Sequence, residues 1–221
     1  MKKKFGVLFD LDGTLLDTEK LIFAAFRYVF TKYKPNYVLT EKELYSFFGP
    51  SLQDTFGRYF NTDEIEEIIA SYREYSDQHH KEDVTIFPTV RQTLEILQSL
   101  GYPLAVVTNK AKRTTMLGLE QFHLVPFFDA IITLQDVRQT KPDPEGVYLA
   151  MQQLQVKQAL MIGDNGSDIE AAKKAGIYSA GMEWSGSEHR NIALWQPDIM
   201  LHNSMEEIIT FVNKIGGKRH V

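Results

Sequence analysis

Short apolar runs, each ending in polar or glycine-containing turn residues, recur along this chain at the spacing of βαβ units, and that rhythm constrains the fold more than any other feature. Val7-Leu8-Phe9, Leu104 to Val107, Ala130 to Leu134, Ala159 to Ile162 and Tyr178 to Met182 read as parallel strands buried on both faces. Helix-period stretches lie between the later runs: Val90 to Leu100, Ala111 to Phe122, Pro144 to Leu154 and Ser167 to Ala175, with Gly101 and Gly176 as stops. Alternating β and α elements predict an α/β fold built on a doubly wound parallel, Rossmann-like sheet. A sixth short strand, Asp198 to Leu201, and a last helix, Ser204 to Ile215, close it ahead of a polar tail, Gly216 to Val221.

The rhythm breaks once. About 70 residues separate the first run from the next element of the sheet, and they carry helical patterns: Leu21 to Tyr33, Glu41 to Phe47, Leu52 to Tyr59 and Asp63 to His80. Phe23, Phe26, Phe30, Phe47, Phe48, Phe56 and Phe60 fall inside this interval, with seven tyrosines from Tyr28 to Tyr75, enough for a small aromatic core of its own. The expected organisation is an α/β core formed by residues 1–17 and 87–221, with a helical cap inserted at 18–86. Asp17-Thr18 and Phe87-Pro88 are then paired linkers at one edge, which is the arrangement of a hinge.

Composition narrows the function classes. The 24 Lys and Arg against 29 Asp and Glu leave a net charge of −5, a balance that disfavours sequence-independent nucleic-acid binding. No apolar run reaches the ~18 residues needed to span a bilayer, and Met1-Lys2-Lys3-Lys4 leads into a stretch too short for a signal peptide. The absence of cysteine excludes disulfides, thiolate metal sites and a cysteine nucleophile, and it suits a cytoplasmic setting.

The chemistry-bearing residues stand at predicted strand ends, where ligands of open α/β sheets bind. Asp10-Leu11-Asp12-Gly13-Thr14 follows the first run. Two carboxylates spaced by two on extended chain project to one side and reach one reacting centre, which is the geometry of a nucleophile with an acid/base partner. A lone pair of this kind is a common turn sequence; the company it keeps gives it meaning. Gly163-Asp164-Asn165-Gly166-Ser167-Asp168 ends another strand, with Ser167 or Asp168 also able to cap the next helix. Asp10, Asp12, Asp164 and Asp168 crowded at one edge repel each other unless a hard divalent cation sits among them, and magnesium fits best. Val106-Val107-Thr108-Asn109-Lys110 supplies a hydroxyl and an amide beside a helix start, and Lys141, ahead of Pro142-Asp143-Pro144, supplies a cation; these are phosphate-binding groups.

Taken in order, FDLDGTLLD (Phe9 to Asp17), Thr108, Lys141 and GDNGSD (Gly163 to Asp168) resemble the four motifs of the haloacid dehalogenase-like hydrolases, in particular their phosphatase branch with a small helical cap. The resemblance implies nucleophilic attack by Asp10 on phosphorus to give an aspartyl-phosphate, with Asp12 as acid and then base. It implies Mg2+ held by the Asp10 carboxylate, the Asp12 backbone carbonyl and Asp164, with Asp168 as a further ligand or a partner of one. Thr108, Asn109 and Lys141 are implied to bind the transferring phosphoryl group. Aspartate at position 12 separates the chain from the dehalogenase branch, which lacks it.

The segments Gly49 to Phe56 and Ser71 to Tyr75, with Gln78-His79-His80, resemble the caps of phosphoglycolate phosphatases and, more closely, of the bacterial pyrophosphatase linked to HPr serine dephosphorylation. The implied substrate is inorganic pyrophosphate or 2-phosphoglycolate, with no nucleic-acid or membrane partner. A sugar phosphomutase of the same superfamily and a non-enzymatic phospho-accepting module are the alternatives. Arg58, Arg73 and Lys81 offer charge for a second anionic group, each also readable as a solvated helix residue. His79 and His80, about 100° apart on a helix, are not expected to chelate one ion. Trp184 carries no assignment.

Overall fold

The computed structural model describes residues 4–183, 191–202 and 204–216; Trp184 and the tail beyond Gly216 lie outside them. A six-stranded parallel sheet runs in the order β5-β4-β1-β6-β7-β8. Its strands are β1 (Phe5–Phe9), β4 (Leu104–Val107), β5 (Ala130–Ile132), β6 (Gln158–Gly163), β7 (Tyr178–Met182) and β8 (Ile199–Leu201). Side chains alternate between the two faces, as the period of two requires. Val7, Phe9, Leu104, Val106, Leu160 and Ile162 enter one core layer, whereas Leu8, Ala105, Val107, Ala159 and Met161 enter the other. Helices α5 (Val90–Ser99) and α9 (Glu207–Gly216) cover the first face through Val90, Leu94, Ile208 and Val212; α7 (Glu145–Leu154) and α8 (Gly166–Ala175) cover the second through Val147, Ala150, Ala171 and Ala172. α6 (Lys112–Gln121) follows β4. The mostly parallel sheet flanked by helices is the expected α/β fold.

Four helices between β1 and α5 build a third core. α1 (Glu19–Tyr33) packs along α4 (Ile65–Asp83), with α2 (Glu41–Ser46) and α3 (Leu52–Phe56) between them in sequence. Phe26 stands at its centre, its ring 4.6 Å from Phe47, 4.9 Å from Tyr72 and 5.3 Å from Phe56. α2 starts on a full capping box, Thr40 with Glu43, and Ser51 caps α3.

Three details differ from the sequence pattern. The chain segments leaving and re-entering the sheet domain are zipped together: β2 (Leu16–Asp17) pairs antiparallel with β3 (Thr85–Ile86). α4 continues three residues past His80, and α3 stops at Phe56. The apolar run from Ala130 leaves the sheet after Ile132, because Thr133 and Asp136 form a reciprocal cap that winds Leu134–Asp136 into a 3-10 turn.

Candidate active site

All seven residues singled out at strand ends come to one edge of the sheet. Asp10 follows β1 directly, its backbone N–H donating to Ile162 O at 2.9 Å, so it is fixed to the end of β6. Thr108, next after β4, is fixed in the same way to Ile132 O at 3.0 Å. Asp164 follows β6, and Asp168 lies in the first turn of α8. Asp10, Thr108, Lys141, Asp164 and Asp168 are buried.

Lys141 is the hub. Its Nζ lies 2.8 Å from Asp10 Oδ1 and 2.6 Å from Asp168 Oδ1, and donates to Val107 O at 2.8 Å, which occupies all three protons. Asp168 in turn accepts the Asn165 backbone N–H on its other oxygen at 3.1 Å, as the far half of a capping box whose N-cap is Asn165. The helix start and the charge cluster therefore share one carboxylate. Close approach here demands glycine at 163, since a Cβ there would stand 2.2 Å from Asp168 Oδ2.

The electrostatics follow from burial. Loss of hydration pushes the Asp10 carboxyl up to about 7, against the pull of Lys141 and with Asp168 and Asp12 adding to the rise. Burial also raises Asp168, Lys141 opposing and Asp164 adding. For Lys141, burial acts downward, but the charges of Asp10 and Asp168 outweigh it and hold the ammonium firmly protonated.

Carboxylate oxygens of Asp10, Asp164 and Asp168 lie within 4.8 Å of one another. Lys141 pairs with only two of these three buried carboxylates, Asp10 and Asp168, which leaves negative charge uncompensated, and the donors are hard oxygens, so the residues present fit a small divalent cation. Thr14 Oγ1 steadies Asp164 Oδ1 at 3.3 Å.

Asp12 has a different neighbourhood. Lys110 Nζ donates to both of its oxygens, at 2.7 and 2.9 Å. Lys110 was visible in the sequence beside Asn109, but nothing there showed that it spans to Asp12. Asn109 itself is engaged: its Nδ2 donates to Gly49 O at 2.7 Å and Lys141 O at 3.0 Å, and its Oδ1 accepts the Lys141 N–H at 2.9 Å. Its amide thus positions Lys141 and ties down the loop between α2 and α3. Asn165 Nδ2 makes a parallel contact to Phe48 O at 3.0 Å. Two core asparagines hold successive carbonyls of one helical-unit loop.

A cavity of about 210 Å³ opens between this edge and the helical unit, lined on one wall by Asp10, Asp12, Asp164 and Lys141 and on the other by Phe26, Leu52, Ile69, Tyr72 and Arg73. Burial drives the Tyr72 phenol well above its ordinary range, with the charge of Asp12 adding to it. Of Arg58, Arg73 and Lys81, Arg73 lines this cavity and the other two do not. His79 Nδ1 contacts Tyr75 O and His80 Nδ1 contacts Gln121 Oε1, so the two rings face separate partners.

An acidic cluster with a buried lysine at the carboxyl edge of a parallel sheet, roofed by an inserted helical unit, is the architecture that the motif order implied. The profile of the family described as haloacid dehalogenase-like hydrolase matches residues 7–182, and the chain belongs to that family. It is 38% identical over 211 residues to the Pyrophosphatase PpaX of Bacillus cereus (strain G9842), covering 95% of this chain and 96% of that one. A haloacid dehalogenase-like family hydrolase from Streptococcus pneumoniae superposes with a TM-score of 0.80 at 28% identity, covering 94% of this chain and 97% of its own. A predicted phosphoglycolate phosphatase from Haemophilus somnus 129PT shares the fold, with a TM-score of 0.82 at 24% identity over 95% and 98% of the two chains. Among the described residues no helix is long and apolar enough to cross a membrane.

Proposed function

We propose that the protein is a magnesium-dependent phosphohydrolase that passes the phosphoryl group of a small phosphorylated compound through Asp10 to water, with inorganic pyrophosphate the first substrate and 2-phosphoglycolate the second. The observation that carries this reading is the buried cluster of Asp10, Asp164 and Asp168, with Lys141 paired to Asp10 and Asp168, beside a small cavity. That cavity is below the ~300–1,000 Å³ of sites for drug-sized ligands, which favours a compact substrate. The name and near full-length match of the Bacillus cereus relative support pyrophosphate in particular. A chain without cysteine suits the cytoplasm.

In the proposed reaction an Asp10 carboxylate oxygen attacks phosphorus. A new P–O bond forms, the bridging P–O bond breaks, and the departing oxygen takes its electron pair and a proton from Asp12. Water then attacks the aspartyl-phosphate, Asp12 accepts its proton, and the Asp10 carboxylate is regenerated. Thr108 offers its hydroxyl to the transferring oxygens, and Lys141, whose protons are placed on Asp10, Asp168 and Val107 O, offsets their negative charge through its own, with the Asn109 amide keeping it in place. The Asp10 carboxylate, the Asp12 backbone carbonyl and Asp164, with Asp168 as a further ligand or a partner of one, would hold Mg2+, which would supply charge neutralisation at the phosphoryl oxygens. Residues 18–86 form the cap that closes over the substrate and excludes water before transfer.

Phosphate release with magnesium from pyrophosphate, 2-phosphoglycolate, sugar phosphates and p-nitrophenyl phosphate tests the substrate reading. Highest kcat/KM with pyrophosphate is expected. Preference for a sugar phosphate, with phosphoryl transfer to a second hydroxyl of the sugar, would replace it by the mutase alternative.

A further inference from the structure

Resting on the phosphohydrolase reading, we propose that Lys110 is a specificity-determining residue. It releases Asp12 to pair with the substrate's leaving group, and so selects compounds whose leaving group carries negative charge of its own.

The charges on the cavity wall lead to this assignment. Its cations are Lys110, Lys141 and Arg73. Lys141 has all three protons committed to Asp10, Asp168 and Val107 O. Lys110 commits two, both to Asp12, and its third has no acceptor among the described residues. Its side chain is 15% exposed, within the cavity but not sealed off from it. Arg73 approaches from α4 on the opposite wall, with no ion pair among the described residues.

Asp12 must come within hydrogen-bond reach of the bridging oxygen to protonate it. A cation 2.7 Å from Asp12 is then within one lysine rotamer change of whatever hangs from that oxygen. When the leaving group is a phosphate or bears a carboxylate, Lys110 exchanges one anionic acceptor for another, a nearly balanced trade between charge-assisted hydrogen bonds. The exchange also frees Asp12 to face the bridging oxygen. A leaving group without charge offers Lys110 no such acceptor, so the ammonium stays on Asp12 and competes with the oxygen that needs it. Attraction for one class and obstruction of the other act in the same direction.

The test compares kcat/KM for pyrophosphate with kcat/KM for p-nitrophenyl phosphate, whose leaving group is uncharged until the bond breaks, in the full-length protein with magnesium. Lys110→Met is expected to lower the pyrophosphate-to-aryl ratio roughly tenfold to hundredfold, the worth of one charged hydrogen bond. Lys110→Gln, which keeps a polar head should the methionine variant fold poorly, is expected to lower it in the same direction, and Lys110→Arg to keep most of it. Competitive inhibition by methylenediphosphonate should weaken in Lys110→Met more than inhibition by inorganic phosphate. Equal losses on both substrates would overturn the proposal, since Lys110 would then not discriminate between leaving groups. If the unsubstituted protein turns over only substrates with uncharged leaving groups, the substrate reading fails first and the proposal with it, which is evident before any variant is made.

Discussion

The two walls of the cavity are held by opposite physics. On the sheet side, Asp10, Lys141 and Asp168 are charged groups taken out of water and locked by short contacts to one another and to strand-end backbone. On the helical side, Phe26, Phe47, Phe56 and Tyr72 form a dry aromatic cluster whose ring centroids lie 4.6 to 5.9 Å apart. Directional charge networks tolerate little displacement, which suits the wall that carries the proposed nucleophile. Aromatic packing is non-directional by comparison, which suits a wall that shapes itself to the rest of the substrate. Polar stitches join the two sides: the Asn109 and Asn165 amides on Gly49 O and Phe48 O, the Arg113–Asp77 ion pair and the His80–Gln121 contact between α6 and α4, and the two-residue β2–β3 ribbon.

The sharpest way to break this contrast is Lys141→Met, which leaves the buried carboxylates without their ammonium. Removing one partner of a buried ion pair costs about 3–5 kcal/mol, and phosphohydrolase activity should fall by about a thousandfold or more as the phosphoryl oxygens lose their cation. Urea denaturation and phosphate release measure the two effects, and added magnesium should recover part of the stability but not the activity. Phe26→Ala attacks the other wall. Truncating a fully buried phenylalanine costs about 3–5 kcal/mol, and here it should be seen as early loss of the tyrosine near-UV signal in urea, with KM raised more than kcat is lowered. An equal fall in kcat with KM unchanged would mean that the aromatic core shapes the chemistry rather than the binding.

The smallest change expected comes from pH. Burial raises Asp10 to about 7 in the folded protein, above its ordinary value of 3.8, so the folded state binds this proton more tightly than the unfolded chain. The stability that follows is complete below pH 4 and is lost as pH rises through about 7. In the metal-free protein the urea midpoint should drift downward across that window, and in Asp10→Asn the drift should shrink to what the raised Asp168 carboxyl contributes. Magnesium, which requires the ionised carboxylate, should bind more tightly as pH rises through the same range and release protons when it does.

Much of the sheet side was legible in the sequence, and the reason is physical. Strands buried on both faces leave unbroken apolar runs, so Asp10, Thr108 and Asp164 announce themselves as the first polar residues after Phe9, Val107 and Gly163. The family motifs then supplied the order. What escaped notice depends on side-chain reach across the fold: Lys110 meets Asp12 from 98 positions away. The engagement of the Asn109 amide by Gly49 and Lys141 was equally hidden, because a Thr-Asn turn looks the same whether its amide meets a phosphate or a neighbouring loop. The β2–β3 ribbon has two residues per strand, too few for any alternation to show. The aromatic stripe of 18–86 was readable as a core, but which of its members face the cavity required the packing of α1 against α4.

Trapping the phosphorylated enzyme tests the central claim most directly. Rapid acid quench of the protein with magnesium and pyrophosphate, followed by peptide mass spectrometry, should find a phosphoryl group on Asp10, removable by hydroxylamine and absent from Asp10→Asn, which should also have no turnover. Phosphate release that survives in Asp10→Asn, or a phosphoryl group found on another residue, would contradict the account.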